Sequence, residues 1–111
     1  MPHFMVRMKY SADAVKAMVA NPQDRKKAAT AAIEAAGGKL VCVYFTFGDK
    51  DVLAIYEAPD AVSAIGLSMM LGASGAASDA ETTPLLTTAE AMAAMKHAAK
   101  AAPSYKTPMK K

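Results

Sequence analysis

Two apolar segments on either side of a short polar turn constrain the fold of this chain more than any other feature. Residues 40–47 and 52–58 are rich in β-branched and aromatic side chains, and Gly-Asp-Lys-Asp at 48–51 separates them. This pattern is typical of a β-hairpin, because glycine and aspartate favour tight turns. The two carboxylates of the turn fall well short of the roughly six oxygens that a hard cation needs, so no metal site is predicted there.

The rest of the chain alternates between strand-like and helix-like patterns. In chain order, periodicity and end signals predict strand 3–10, helices 12–19 and 23–36, strands 40–47 and 52–58, helix 60–71, strand 79–87 and helix 89–101. Pro84 cannot donate to a ladder, which places the last strand at a sheet edge. Two split β-α-β units joined by a hairpin predict an α+β fold, a ferredoxin-like βαββαβ sandwich with an extra C-terminal helix.

The 111 residues fit one domain, which we expect to span 1–101, followed by a flexible basic tail at 102–111. Five of the lysines follow residue 90 without any acidic residue, so the net charge of +3 divides into −2 before that point and +5 after it. This distribution predicts a solubilising C-terminus rather than a nucleic-acid surface. No apolar run is long enough to span a membrane, and the single Cys42 favours a cytoplasmic location.

The sequence resembles the GYD-domain family, and the similarity is spread over roughly residues 2–95. The matching stretches are Gly37-Gly38-Lys39-Leu40, Phe47 to Leu53, Tyr56 to Asp60, Asn21-Pro22 and Thr82-Thr83. Lys50 stands where the family has its name-giving tyrosine, so no role of that tyrosine is carried over. The resemblance implies a domain of the dimeric α/β-barrel type that associates with itself, and it supplies no established reaction.

The hairpin register sorts the strand residues onto two faces. A two-residue turn at Asp49 and Lys50 predicts a helix-covered face with Val41, Val43, Phe45, Phe47, Val52, Ala54 and Tyr56. The opposite face then holds Cys42, Tyr44, Thr46, Leu53, Ile55 and Glu57, joined by His3, Met5, Arg7 and Lys9 of the first strand. The start of the first strand lies beside the end of the third, which brings His3 towards Glu57.

The helices are expected to fill the core with small and flexible side chains. The predicted buried positions are Ala28, Ala29, Ala32, Ile33 and Ala36 in the second helix, Val62, Ile65, Leu67, Met69, Met70 and Leu71 in the third, and Met92 and Met95 in the last. Cys42 is interpreted as a small buried hydrophobe, and His97 as a solvent-facing residue. The sequence has no nucleotide-binding, nucleophile-elbow or zinc pattern, so no cofactor is expected.

The uncovered sheet face is the predicted functional surface, with candidate ligand-binding residues His3, Arg7, Tyr44 and Glu57. It is too apolar to stay in water, so we expect the chain to form a homodimer or a higher homo-oligomer. The first functional hypothesis is a self-associating domain that binds a small molecule on this face. The alternatives are a cofactor-independent enzyme of the monooxygenase or isomerase kind, using His3 and Glu57 for proton transfer, and a purely structural or partner-binding protein.

Overall fold

The computed structural model of the chain describes residues 1–109, so two lysines of the predicted basic tail, Lys110 and Lys111, lie outside the described residues. Its elements are β1 (His3–Tyr10), α1 (Ala12–Ala20), α2 (Arg25–Ala35), β2 (Lys39–Phe45), β3 (Val52–Glu57), α3 (Ala61–Ala73), β4 (Ala77–Leu85), α4 (Thr88–Ala101) and a 3-10 turn (Ala102–Ser104). None of the described helices is long and apolar enough to cross a membrane.

The four strands form one antiparallel sheet in the order β2-β3-β1-β4. This order confirms the predicted ferredoxin-like α+β fold, with β1 and β3 at the centre and Pro84 on the edge strand β4. Alternate residues of the central strands are buried on one face, as expected for a sheet with helices on one side. The core side chains on that face include Phe4, Val6, Ala54 and Tyr56.

Local signals set the helix ends. Ser11, Asp60 and Thr87 accept from backbone N–H groups at the starts of α1, α3 and α4, and Thr87 and Glu90 form a reciprocal capping box. The helix α2 ends at a glycine in the left-handed region, Gly37 with φ 86°, as predicted. Its start differs from the predicted residue 23, because Asp24 is the N-cap and Arg25 is the first helical residue.

The hairpin turn is longer than predicted. Strand β2 stops at Phe45, because Thr46 closes a loop by donating its N–H to the carbonyl of Asp51 at 2.9 Å. Phe45 lies opposite Val52, a register shift of two residues that keeps the predicted faces of Phe45 and Val43. The predictions for two flanking residues are wrong: Phe47 is in the loop with φ 48°, and Val41 occupies a bulge and is exposed.

The third helix buries a narrower stripe than its composition predicts. Ala64 and Leu67 are buried, and Leu71 packs partly against the same core. The other apolar residues of α3 are exposed, contrary to the expectation of burial: Val62, Ile65, Met69 and Met70. Because α3 is apolar on all sides, its sequence alone does not show which stripe meets the sheet. In α2, Ile33 is buried as predicted, whereas the alanines are half-buried or exposed.

The last helix extends away from the sheet. Within residues 1–109, α4 packs only on the 3-10 turn that follows it, beyond marginal contacts. The described chain is 61 Å long with a radius of gyration of 17.9 Å, well above the roughly 13 Å of a compact 100-residue domain. Met92 and Met95 are therefore exposed and not buried as expected, because no neighbouring element covers them.

Candidate functional site

The side of the sheet that no helix covers, called the open face below, carries all four candidate residues. Its side chains form three cross-strand rows over β2, β3, β1 and β4. These rows are Lys39, Glu57, His3 and Leu85; then Cys42, Ile55, Met5 and Thr83; then Tyr44, Leu53, Arg7 and Glu81. The middle row contains no charged residue, and it separates the charges at one end of the open face from those at the other.

His3 and Glu57 are direct cross-strand neighbours, as the register argument predicts. Residues in such a pair have Cβ atoms about 4.5–5.5 Å apart, which places both side chains within reach of one small ligand. Within residues 1–109, neither side chain forms an ion pair within 4 Å. Glu57 also lies opposite Lys39, which the sequence interpretation did not include in the site.

Arg7 lies in the row at the far end and is already paired. Its Nη2 donates to Oε2 of Glu81 at 2.8 Å, and both side chains are partly exposed. An exposed pair of this kind contributes about 1 kcal/mol or less to stability, yet it occupies one edge of the guanidinium. The Nε of Arg7 is buried without a hydrogen-bond partner. The structure thus does not bring Arg7 to the His3 and Glu57 pair.

Tyr44 is the most isolated of the four candidate residues. Leu53 lies between it and Arg7 in the row, and a separation of two strands is about 10 Å. The Tyr44 side chain is 66% exposed. Of the predicted set, only His3 and Glu57 are adjacent.

Ion pairs link the β2–β3 loop to the ends of β1 and β4. The Nζ of Lys50 donates to Oδ2 of Asp79 at 2.7 Å and lies 3.6 Å from Oδ2 of Asp49. Lys50 is the only buried charged residue within the described part of the chain. The hydrogen bond to Asp79 raises the pKa of Lys50, and the same bond lowers the pKa of Asp79.

These pKa shifts predict a pH dependence of stability. Because the pKa of Asp79 is lowered on folding, its contribution is present above the ordinary aspartate pKa and is lost as the pH falls below about 4. The contribution of Lys50 is present below its ordinary pKa and is lost at strongly alkaline pH. We expect Asp79→Asn to lower the melting temperature at pH 7 and to flatten the acid limb of the stability profile, measured by circular dichroism.

Asp49→Asn is the matched control for this experiment, because Asp49 faces the same Nζ from an exposed position. It should leave the profile nearly unchanged. Equal profiles for Asp79→Asn and the native protein would contradict the assignment.

A family model described as GYD domain matches residues 4–95 of this chain. The chain belongs to the GYD-domain family. The match covers β1 from Phe4 onwards, the other three strands, the first three helices and the first part of α4, so the fold described above is that of the GYD domain.

Among solved structures, this GYD domain is similar to the crystal structure of MtbAldR, with a TM-score of 0.56 and 15% sequence identity. The match covers 78% of this chain and 53% of that chain, so the GYD domain corresponds to about half of MtbAldR. At this identity the similarity shows the fold alone. A search of curated proteins gave no match to the sequence.

No group of three or more His, Cys, Asp or Glu within residues 1–109 is arranged to hold a metal ion.

Sequence interpretation missed Lys39 on the open face and the cavities on the helix-covered side of the sheet. A cavity of about 360 Å³ lies between α2 and α3, and a broader depression of about 760 Å³ lies beside α1. The only sequence signal for the first was the run of alanines in α2, whose small side chains leave space above the sheet.

Proposed function

We propose that this GYD domain is a cytoplasmic, self-associating protein that binds a small molecule, with the open face as the contact between copies. The observation that carries the proposal is the composition of that face. Ile55 lies directly beside Met5, Leu53 is the next residue of β3 on the same face, and exposed Tyr44 extends the patch. A sheet face left in water is ordinarily polar, so this one favours burial against a second sheet.

The charged end of the open face supports a ligand at the seam between copies. His3, Glu57 and Lys39 share one row, and none of them forms an ion pair within residues 1–109. Burial of such groups requires partners, which either the second copy or a bound polar molecule supplies. A small molecule with both donor and acceptor groups would satisfy this row.

An enzyme is the second candidate, and the adjacency of His3 and Glu57 favours it. A carboxylate that orients an imidazole is an effective arrangement for moving a proton. In this case the domain would act as a cofactor-independent monooxygenase or isomerase on phenolic or quinol substrates. Turnover of such a compound, abolished in His3→Ala, would identify this function.

Native mass spectrometry of freshly purified protein tests the proposed function. We expect a species of at least two chains of 11.6 kDa that carries an additional small-molecule mass. A double-mutant cycle with His3→Ala and Glu57→Gln should show coupling in the retention of that molecule. If only association changes, the pair is structural, and a bare monomer contradicts the proposal.

A further inference from the structure

A cavity lies between α2 and α3, on the opposite side of the sheet from the open face. The two helices stand apart over the sheet, and the space between them is about 360 Å³. This volume lies at the lower end of the range for small-molecule sites. Ala28, Ala29 and Ala32 form the wall on the α2 side, and their small side chains keep the cavity open.

The cavity is apolar through most of its depth. Val6, Val52 and Ala54 of the sheet lie at its floor, and Leu67 and Leu71 of α3 form the second wall. No side chain within residues 1–109 fills the space between these aliphatic residues, and a water molecule there would find few hydrogen-bond partners. An apolar molecule is therefore the favoured occupant.

One charged residue, Arg25, lines this cavity. Its Nε is buried without a hydrogen-bond partner, and its Nη1 donates to Oε1 of Gln23 at 2.8 Å. Arg25 has no ion-pair partner within 4 Å among residues 1–109. A guanidinium with a buried free donor is suited to a carboxylate, because two oxygens can accept from it side by side.

We infer that this cavity binds a hydrophobic monocarboxylate, with its chain between α2 and α3 and its carboxylate on Arg25. The apolar lining favours a hydrocarbon chain, and the Arg25 guanidinium, which has no ion-pair partner among residues 1–109, favours a negatively charged head group. The site shares no residue with the open-face rows, so it does not depend on how copies associate.

The test is binding of decanoate, compared with decanol, to the full chain by isothermal titration calorimetry. We expect decanoate to bind about tenfold or more tightly than decanol, because a charge-assisted hydrogen bond distinguishes them. Arg25→Gln should remove this difference. Lys27→Gln is the matched control, since it removes the same charge two residues along α2 from a side chain outside the cavity, and decanoate binding should be unchanged.

A second pair of variants tests the location. Ala29→Leu fills the cavity and should weaken both probes, whereas Ala31→Leu adds the same side chain at an exposed position of α2 and should weaken neither. Labelled methionine methyl groups report the site directly by NMR. On addition of decanoate, Met8 and Met70 in the cavity should shift, and Met5 on the open face should not.

Three results would overturn the inference: equal affinity for decanol and decanoate, decanoate shifts at Met5 alone, or no binding to the native protein. A fourth result would also overturn it. If decanoate bound only after Met92→Ser and Met95→Ser had removed the exposed methionines of α4, then α4 of a second copy would be the occupant of the cavity. Association through the open face is measured separately by sedimentation velocity, so failure of this inference is distinguishable from failure of the proposed function.

Discussion

Gly38→Ala is expected to destabilise the domain by about 3 kcal/mol or more, because no room exists for a methyl group at this position. A Cβ on Gly38 would meet the backbone carbonyl of Glu57, and it would also lie 3.2 Å from the side chain of Ile33. The first neighbour is strand backbone, which cannot move without disturbing β3. Since small domains have only about 5–15 kcal/mol of stability, chemical denaturation should show a large loss.

Gly66→Ala is the matched control for this substitution. Gly66 is within α3, and nothing lies within 4 Å of a Cβ built on it. Alanine is favoured over glycine inside a helix by up to about 1 kcal/mol, so this variant should be equal to the native protein or more stable. A Gly38→Ala protein as stable as Gly66→Ala would show that the α2–β2 connection packs differently.

Ile55→Asp tests the proposed contact between copies through the open face, and we expect this variant to separate them. Ile55 lies in the uncharged middle row of the open face between Cys42 and Met5, so an aspartate there would be buried at the seam without a cation. An unpaired buried charge costs about 3–5 kcal/mol, which raises the dissociation constant at least a hundredfold. Sedimentation velocity at micromolar concentration should then show 11.6 kDa monomers.

Val62→Asp provides the comparison. Val62 is the most exposed apolar residue of α3, at 81%, and it lies in the first turn of the helix, where a negative charge is favourable. This variant should stay folded and associate like the native protein. The opposite pattern, with Val62→Asp dissociated and Ile55→Asp associated, would place the contact on the helices instead of the open face.

The sheet was predictable from sequence because period-two alternation decides which residues share a face. Phe4, Val6 and Met8 alternate with His3, Met5, Arg7 and Lys9 in β1, and this pattern places His3 beside Glu57 even though the predicted turn is too short. An error of two residues in register preserves the faces, whereas one inserted residue reverses them. The predicted face of Val41 is wrong for this reason, because Val41 lies in a bulge that its residue type does not predict.

The helix packing and the cavity were less predictable, since they depend on neighbours distant in sequence. The four exposed apolar residues of α3 are chemically similar to the buried Leu67, so only the position of the sheet distinguishes them. Met92 and Met95 follow a helical period that normally indicates core, but within residues 1–109 neither the sheet nor another α-helix packs on α4 beyond marginal contacts. Arg25 is the first residue of α2, next to Lys26 and Lys27, and nothing in its residue type indicates that it lines a cavity.

The central position of β1 also has a consequence for synthesis. This strand leaves the ribosome before the other three strands of the sheet, and its partner residues lie at 52–57 and 77–85. At about 5–20 residues per second, β4 follows β1 by roughly 4 to 15 seconds. During that interval Phe4, Val6 and Met8 lack their neighbours, and the positive charges of Arg7 and Lys9 on the alternate positions discourage pairing with other nascent chains. Of the four strands, β1 is thus made first, and of the two central strands it is the last to gain both of its neighbours.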